Sequence, residues 1–218
     1  MQSIQQNSNT TATPLKVGIT GGIGSGKTTA CKIFETLGIP VYYADERAKW
    51  LMVNDLALKQ QVLDLFGNEA YFKNGGLNRK YISAVVFQDK HKLRKLNGIV
   101  HPAVFKDGDE WFGQISGVPY TLKEAALLIE SGGYKSLDKL IVVSAPEDLR
   151  LERVVKRDML KKEDVLARIR SQISEAARLE HADFVIQNDG QKSLINQVFS
   201  IHRELLTICG NRLANNDL

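Results

Sequence analysis

The sequence predicts an α/β fold in which a parallel sheet is flanked by helices. Three observations lead to this prediction. Short apolar runs typical of buried strands alternate with segments of helical periodicity along most of the chain. A glycine-rich turn joins the first apolar run to the first helical segment. Two longer helical segments interrupt the alternation, and they predict an inserted lobe and a second helical unit.

The first strand–helix–strand unit covers residues 15–45. LKVGIT, at residues 15–20, has the near-continuous apolar pattern of a buried parallel strand. Residues 27–37 place apolar side chains on one helical face, and Gly38 is a suitable helix stop. VYYAD, at residues 41–45, predicts a second strand that ends in an acid. Parallel strands joined in this way need a right-handed crossover.

A helix-rich region follows at residues 46–117. Its apolar residues recur with helical spacing, and turn signals such as FGNEAYFKNGGLN separate the segments. We interpret this region as a helical lobe inserted between the second and third strands. Residues 119–131 return to the sheet, and KLIVVSA at residues 139–145 predicts a further buried strand.

The last third of the chain predicts charged helices and a closing unit. Pro146 suits the first turn of a helix, and residues 147–180 predict two charged helices with a break at residues 159–162. ADFVIQND, at residues 182–189, predicts a last short strand. Residues 191–210 predict a closing amphipathic helix.

Composition limits the kind of protein and its surroundings. The chain has 218 residues, 43% of them hydrophobic, so it can bury a sizeable core. Its net charge of +4 suits an anionic partner, either a nucleotide or a nucleic acid. The distant Cys31 and Cys209 argue against a disulfide framework or zinc site and suit a reducing cytoplasm. Residues 1–13 do not resemble a signal peptide, no apolar stretch is long enough to span a bilayer, and we expect those first residues to be a disordered leader.

The glycine-rich turn carries the strongest functional signal. Gly21, Gly26, Lys27 and Thr28 satisfy the pattern G-x-x-x-x-G-K-[ST], in which backbone N–H groups and a helix N-terminus bind phosphate. We predict that Lys27 reaches the β- and γ-phosphates of a nucleotide and that the Thr28 hydroxyl binds Mg²⁺. The predicted nucleotide-binding residues of this loop are Gly22, Ile23, Gly24, Ser25, Gly26, Lys27, Thr28 and Thr29.

Three classes of protein use such a loop: switch GTPases, motor or nucleic-acid ATPases, and small-molecule kinases. The chain has no N-K-x-D guanine motif, and its D-x-x-G match at residues 64–67 lies at the end of a predicted helix. A motor ATPase would have an apolar strand ending in Asp or Asp-Glu, whereas the third strand region has Glu124 and Glu130. These observations favour a kinase.

A kinase needs a carboxylate that positions or deprotonates the acceptor hydroxyl, and cations that stabilise the transferring group. Asp45 follows the second strand, at the edge where α/β sheets bind ligands, so we predict that it is the catalytic carboxylate. It could also act as the N-cap of the next helix, and the two roles are compatible. Arg153 and Arg157 share a helix face and are the candidate catalytic cations, unless they simply form a solvated face. Arg168 and Arg170 are weaker candidates.

The sequence resembles the dephospho-coenzyme A kinases from about Leu15 to the last helix. The motifs that carry the resemblance are GITGGIGSGKTT, GIPVYYADERAK, KLRKLNGIVHPAVF, ALLIESG, ERVVKRD, ARIRSQ and ADFVIQNDG. The resemblance implies a P-loop NTPase fold and transfer of the ATP γ-phosphoryl group to the ribose 3′-hydroxyl of dephospho-CoA. It also implies a nucleotide core (14–45, 118–146 and 180–218), a helical coenzyme A domain (46–117) and a lid (147–179).

The resemblance adds further site residues. It implies that His101, which from the residues alone could be structural, serves the substrate lobe, and that Arg94 meets a phosphate of the acceptor. Glu130 is expected to bind substrate, and either Glu124 or Glu130 could join the magnesium shell. Asn188 and Gly190 follow the last strand, where such kinases hold adenine with backbone groups; a plain turn is the alternative there.

Two positions depart from the family pattern. The family often has Asp-Ala-Asp after the second strand, and Tyr43 replaces the first acid here, which weakens any scheme with two carboxylates. The family's third strand often contains a proline that is Ala126 in this chain, so the turn near the substrate is expected to differ.

Two other functions stay open at this point. One is a kinase for a different small acceptor, such as a nucleoside, nucleotide or sugar acid. The other is an ATP-dependent nucleic-acid-binding module, although no basic strand with interleaved aromatic residues is visible. We expect a cytoplasmic monomer or small homo-oligomer with no nucleic-acid or membrane partner.

Overall fold

A five-stranded parallel sheet forms the centre of the computed structural model, which describes residues 13–216. The predicted leader therefore lies outside the described residues, except for Thr13. The strands are β1 (Leu15–Thr20), β2 (Val41–Tyr43), β3 (Tyr120–Glu124), β4 (Lys139–Ser144) and β5 (Phe184–Gln187), in the order β2-β3-β1-β4-β5. Every neighbouring pair is parallel, which confirms the predicted α/β fold.

Helices connect and cover the strands. They are α1 (Lys27–Thr36), α2 (Ala44–Asn54), α3 (Leu56–Phe66), α4 (Arg79–Gln88), α5 (Lys90–Gln114), α6 (Glu147–Asp158), α7 (Lys162–Arg170), α8 (Glu175–Leu179) and α9 (Leu194–Asn216), with short 3₁₀ helices at Asn68–Ala70 and Gly133–Ser136. Within residues 13–216, no helix is long and apolar enough to cross a bilayer.

The main core lies between the sheet and the pair of helices α1 and α9. Val17 and Ile19 of β1 are fully buried there, together with Phe34 of α1 and Leu205 of α9. Because β1 is the middle strand, both of its faces are covered, and this explains its near-continuous apolar sequence. The loop that follows β1 is consequently anchored at the centre of the sheet.

Helices α2–α5 lie between β2 and β3 in the chain, where the sequence predicts a helical lobe. Tyr42 of β2 connects this region to the sheet, because its hydroxyl donates a hydrogen bond of 2.6 Å to Asp107 Oδ2 of α5. Arg47 Nε of α2 donates to the same oxygen at 2.8 Å. Arg47 and Tyr42 together hold the pKa of Asp107 below its usual range. The division into core, coenzyme A domain and lid stays a prediction.

Several predicted boundaries need correction. β2 ends at Tyr43 and not at residue 45, because Ala44 and Asp45 already belong to the first turn of α2. The N-cap position of α2 is Tyr43, and no side chain caps it, so the N-cap role for Asp45 is wrong. Asp45 instead lies in the first turn, where a negative charge is favourable to the helix dipole.

The remaining corrections concern element ends. β3 stops at Glu124, although the apolar sequence continues, because residues 125–129 turn away from the sheet and Leu128 packs beneath it. Pro146 is the N-cap of α6 and not its first residue. The break between α6 and α7 is confirmed: Met159 ends α6 in a left-handed conformation, with φ of 52°. The prediction of one further charged helix up to residue 180 is wrong, because residues 171–174 separate α7 from α8.

The last two elements also differ from their predicted limits. The predicted strand at residues 182–189 is shorter, since β5 covers only Phe184–Gln187. The closing helix begins later and ends later than predicted, at Leu194 and Asn216.

Candidate functional site

The phosphate loop connects β1 to α1 and depends on glycine at two positions. Gly24 has φ of 79° and Gly26 has φ of 97°, a left-handed conformation that side chains disfavour. A Cβ atom at Gly24 would also lie 2.6 Å from the Arg150 carbonyl oxygen, and one at Gly26 would overlap the Asn188 amide. The backbone conformation and the close neighbours therefore both require glycine here.

Lys27 begins α1 directly after the loop. Its Nζ donates a hydrogen bond of 3.0 Å to the carbonyl oxygen of Gly21. Burial lowers the pKa of Lys27, and the nearby carboxylates of Glu124 and Asp45 oppose that shift. Thr28 and Thr29, the next two residues of α1, are exposed. The amine and the Thr28 hydroxyl are thus available at the same end of the loop.

Residues from distant parts of the chain hold the loop in place. Ile23 N donates a hydrogen bond of 2.9 Å to Gln172 Oε1, and Asn188 Nδ2 donates one of 2.7 Å to the Ser25 carbonyl oxygen. Asn188 is fixed in turn, because its backbone oxygen accepts from Arg153 Nη1 at 3.2 Å. These contacts position the loop backbone before any ligand binds.

Of the two residues predicted to contact adenine, Asn188 is hydrogen-bonded within the protein. Asn188 N donates to the Ser144 carbonyl oxygen at 2.8 Å, so both backbone groups of Asn188 are hydrogen-bonded within the protein. Gly190 is exposed and has φ of 82°. The part these residues play toward adenine stays a prediction.

A cavity of about 900 Å³ opens in front of the loop; we call it the larger cavity. It brings together most of the predicted catalytic and loop residues with several that were not predicted. Its lining includes Ile23, Gly24, Gly26, Lys27, Thr28, Thr29, Asp45, Lys49, Arg79, Glu124, Arg153, Arg157, Arg168 and Gln172.

Glu124 is the buried acid of the larger cavity. It ends β3, opposite Ile19 of β1 and Tyr43 of β2, and is 5% exposed. Burial raises its pKa to about 7, the positive charge of Lys27 opposes this shift, and the negative charge of Asp45 adds to it. The carboxyl group is therefore only partly ionised near neutral pH, whereas Asp45 is exposed on α2.

The two predicted lid arginines differ in their contacts. Arg153 is half-buried and bonded to Asn188, as described above. Arg157 is exposed, and its Nε and Nη2 donate hydrogen bonds of 2.7 and 2.9 Å to the carboxylate of Asp158. Both line the larger cavity, as does Arg168, while Arg170 does not.

A second cavity of about 260 Å³ adjoins the first; we call it the apolar cavity. Helices α2 and α5, strand β3 and the segment after β3 line it. His101 of α5 is half-buried there, and burial lowers its pKa while the charge of Asp45 opposes the shift. Asp45 lines both cavities, so it lies where they meet.

Two predicted substrate residues line neither cavity. Arg94 is exposed on α5. Glu130 Oε1 accepts a hydrogen bond of 3.3 Å from Ile173 N, which connects the segment after β3 to the segment before α8. Their parts in substrate binding stay predictions.

Sequence analysis did not identify Arg79 and Lys49, which bring positive charge to the larger cavity. Nor did it identify Arg150, which is 6% exposed and packs its guanidinium against Gly22 of the loop. Each of these residues reaches the site from a different helix. A turn signal before α4 was the only local indication for Arg79, and we find none for the other two.

Comparisons with known proteins show the family of the chain. Residues 15–193 match the family model described as dephospho-CoA kinase. A dephospho-CoA kinase from Bacteroides fragilis is 39% identical over 187 residues, which covers 86% of this chain and 91% of the relative. A Thermus thermophilus crystal structure has a TM-score of 0.78 and 32% identity, covering 88% of this chain and 97% of the other. The structure of the dephospho-CoA kinase from Campylobacter jejuni has a TM-score of 0.66 and 28% identity, and the match covers 90% of this chain and 98% of the other.

Proposed function

The chain belongs to the dephospho-CoA kinase family, and on that premise we infer that it catalyses the ATP-dependent phosphorylation of dephospho-CoA in coenzyme A synthesis. The acceptor atom in this proposal is the ribose 3′-hydroxyl oxygen. The observation that supports the assignment of roles is that Asp45 lies where the larger cavity meets the apolar cavity. A hydroxyl presented there would face both this carboxylate and the end of a triphosphate held by the loop.

The loop and Lys27 hold the phosphates of ATP in this proposal. Backbone N–H groups of the loop and the N-terminus of α1 bind the β-phosphate, because both direct positive partial charge toward it. The Lys27 amine, which lies 3.0 Å from a loop carbonyl oxygen, moves to the γ-phosphate oxygens. These interactions stabilise the charge that spreads over the oxygens during transfer.

The residues present also fit a magnesium ion. Among residues 13–216, no group of three His, Cys, Asp or Glu side chains could hold a metal by itself. Mg²⁺ usually takes one or two protein oxygens and completes its shell with water and phosphate, which suits the Thr28 hydroxyl and the Glu124 carboxylate in the larger cavity. When bound, the ion would neutralise phosphate charge.

Asp45 acts as the general base. Its carboxylate accepts the proton of the 3′-hydroxyl as that oxygen bonds to the γ-phosphorus and the bond to the ADP oxygen breaks. Arg157 exchanges its ion pair with Asp158 for the transferring phosphoryl group, since it is exposed and lines the larger cavity. Arg153 supports the loop through Asn188 and contributes positive charge.

The charges also suggest how the acceptor is oriented. Arg79 and Lys49 line the larger cavity on the side of the helical region, where they can bind the diphosphate of dephospho-CoA. His101 and the apolar side chains lie on the other side of Asp45 and can contact uncharged parts of the acceptor.

The test is ATP consumption with a panel of acceptors that contains dephospho-CoA, nucleosides, nucleotides and sugar acids. We expect turnover with dephospho-CoA alone, and a product whose phosphorus resonance and mass identify a 3′-phosphate. Faster turnover with another acceptor would overturn the proposal. A cytoplasmic location, a monomeric or small homo-oligomeric state and the lack of a nucleic-acid partner stay predictions.

A further inference from the structure

Lys123 is a buried lysine without a polar partner. It lies in the middle of β3, opposite Gly18 and Tyr42, and is 3% exposed. Among the described residues, its ammonium group makes no hydrogen bond to another side chain or to the backbone and has no carboxylate within ion-pair distance. Two aromatic rings flank it instead, with Nζ at 5.1 Å from the centroid of Phe105 and 5.8 Å from that of Tyr42.

Such a residue is unfavourable for folding alone. Burial lowers the pKa of Lys123, and the negative charge of Asp109 only partly opposes this. The amine makes no hydrogen bond within residues 13–216 and gains little from two ring faces, but its nitrogen is not fully enclosed by the protein, because Lys123 lines a cavity. A methionine of similar length would fill the same space without that cost. The amine therefore calls for a partner that comes from outside the protein.

The place for that partner is the apolar cavity, whose wall includes both Lys123 and Phe105. The cavity begins at Asp45, and apolar groups such as Val100 and Leu128 form most of its surface. Its volume of about 260 Å³ suits a single flat ring system and is too small for a whole coenzyme.

The acceptor's own charges decide which fragment enters. If its ribose lies at Asp45, the diphosphate on one side is attracted to Arg79 and Lys49 in the larger cavity. The uncharged purine, one bond from the same ribose, is then left for the apolar cavity. We propose that this cavity binds the purine of the acceptor and that Lys123 donates a hydrogen bond to one of its ring nitrogens. Lys123 is on this proposal a specificity-determining residue, and the inference depends on the proposed function.

The first experiment compares Lys123→Met with a matched control, Lys16→Met. Lys16 is the neighbouring lysine on β1, and its ammonium also lies over an aromatic ring, at 5.0 Å from the centroid of Phe112, but it does not line the cavity. We expect Lys123→Met to raise the KM for dephospho-CoA about tenfold, with kcat and the KM for ATP within about twofold of wild type. The control should change none of the three. The melting temperature of Lys123→Met should not fall, because the substitution removes an ammonium group that has no hydrogen-bond partner among the described residues.

The second experiment uses wild-type enzyme and three dephospho-CoA analogues, in which N1, N3 or N7 of adenine is replaced by CH. For one analogue, the KM with wild type should be about tenfold higher than for dephospho-CoA. With that same analogue, Lys123→Met should not raise the KM further. The inference is overturned if no analogue is impaired with wild type, a result that does not depend on the variant folding. The inference also fails if Lys123→Met raises the KM equally for all three analogues. It fails likewise if the substitution raises the KM for ATP as much as the KM for dephospho-CoA. If wild type does not phosphorylate dephospho-CoA at all, the proposed function fails instead.

Discussion

The two cavities beside Asp45 are built in different ways. The larger cavity is formed around a glycine-rich loop whose backbone donates a hydrogen bond to the side chain of Gln172 and accepts one from that of Asn188. Within the described part of the chain, the apolar cavity has no such loop and is lined mainly by apolar residues of α2, α5, β3 and the segment after β3. Strand β3 separates them, since Lys123 points to the apolar cavity and its neighbour Glu124 lines the larger one.

This difference predicts how each cavity responds to substitution. In the proposed function the nucleotide is bound mainly by backbone groups, so variants of side chains that line the larger cavity should mainly lower kcat. A side chain that supports the loop from outside this cavity should instead affect the affinity for the nucleotide. A ligand bound by side chains should lose affinity when one of them changes.

The largest effect is expected for Asp45→Asn. The amide cannot accept the hydroxyl proton, so kcat should fall about a hundredfold or more, while the affinity for ATP stays nearly unchanged. Single-turnover kinetics and equilibrium nucleotide binding measure the two quantities. Asp64→Asn, at the exposed D-x-x-G match in α3, is the matched control and should behave as wild type. If kcat barely changes in Asp45→Asn, the carboxylate serves only α2.

Arg157→Ala should come next, with a loss of about fiftyfold in kcat. We expect it because the arginine contacts the phosphoryl group chiefly during transfer, so the KM for dephospho-CoA should change little. Steady-state kinetics with both substrates varied will separate the two parameters. Lys156→Ala changes an exposed neighbour on α6 and should have no effect. Equal losses in kcat and in acceptor affinity would instead indicate a ground-state contact.

The raised pKa of Glu124 predicts a pH dependence of stability. With a pKa of about 7 when folded and the usual value near 4.5 when unfolded, the folded state binds the extra proton between these values. Its contribution to the free energy of unfolding is thus fully present below about pH 4.5 and is lost by about pH 7. Measured against Glu124→Gln, the loss should be about 3 kcal/mol. Urea unfolding of both proteins across this range tests the prediction, and a constant difference would show that Glu124 is already ionised.

The smallest effect concerns the support of the loop. Asn188→Ala removes the amide that binds the Ser25 carbonyl oxygen, so the Kd for ATP should rise about fivefold. Binding of dephospho-CoA should not change, since Asn188 lies away from the apolar cavity. Calorimetric titrations measure both. Asn196→Ala, exposed on α9, is the control. A greater loss for the acceptor than for ATP would contradict the separation of the two cavities.

The sequence predicts site residues well where they belong to a local motif and poorly where they come from distant parts of the chain. Lys27, Thr28 and the loop glycines belong to one local motif, and Asp45 follows a strand. Periodicity and spacing were therefore sufficient to predict that these residues lie close together. Arg79, Gln172 and Lys123 reach the site from distant parts of the chain, and no local pattern connects them. Lys123 is especially hard to predict, because a lysine inside a strand normally indicates an exposed face.

The fold was easier to predict than its boundaries. The order of strands and helices follows from alternating periodicity, and the sheet confirms it. The end of β3 was missed because apolar residues continue past Glu124, and hydrophobicity does not distinguish a strand from a buried turn. The start of α2 was missed because Ala44 and Asp45 have no capping residue before them.

The hydrogen bonds from Tyr42 and Arg47 to Asp107 give Asp45 a particular position, because they join β2 and α2 to α5 on either side of it in the sequence. In the proposed mechanism the base thus belongs to the helical region that would receive the alcohol, and not to the loop that would bind the nucleotide. A stray water molecule beside the terminal phosphate gains no proton acceptor from the loop itself. Under the proposed mechanism, damage to this scaffold would therefore lower product formation without raising the hydrolysis of ATP.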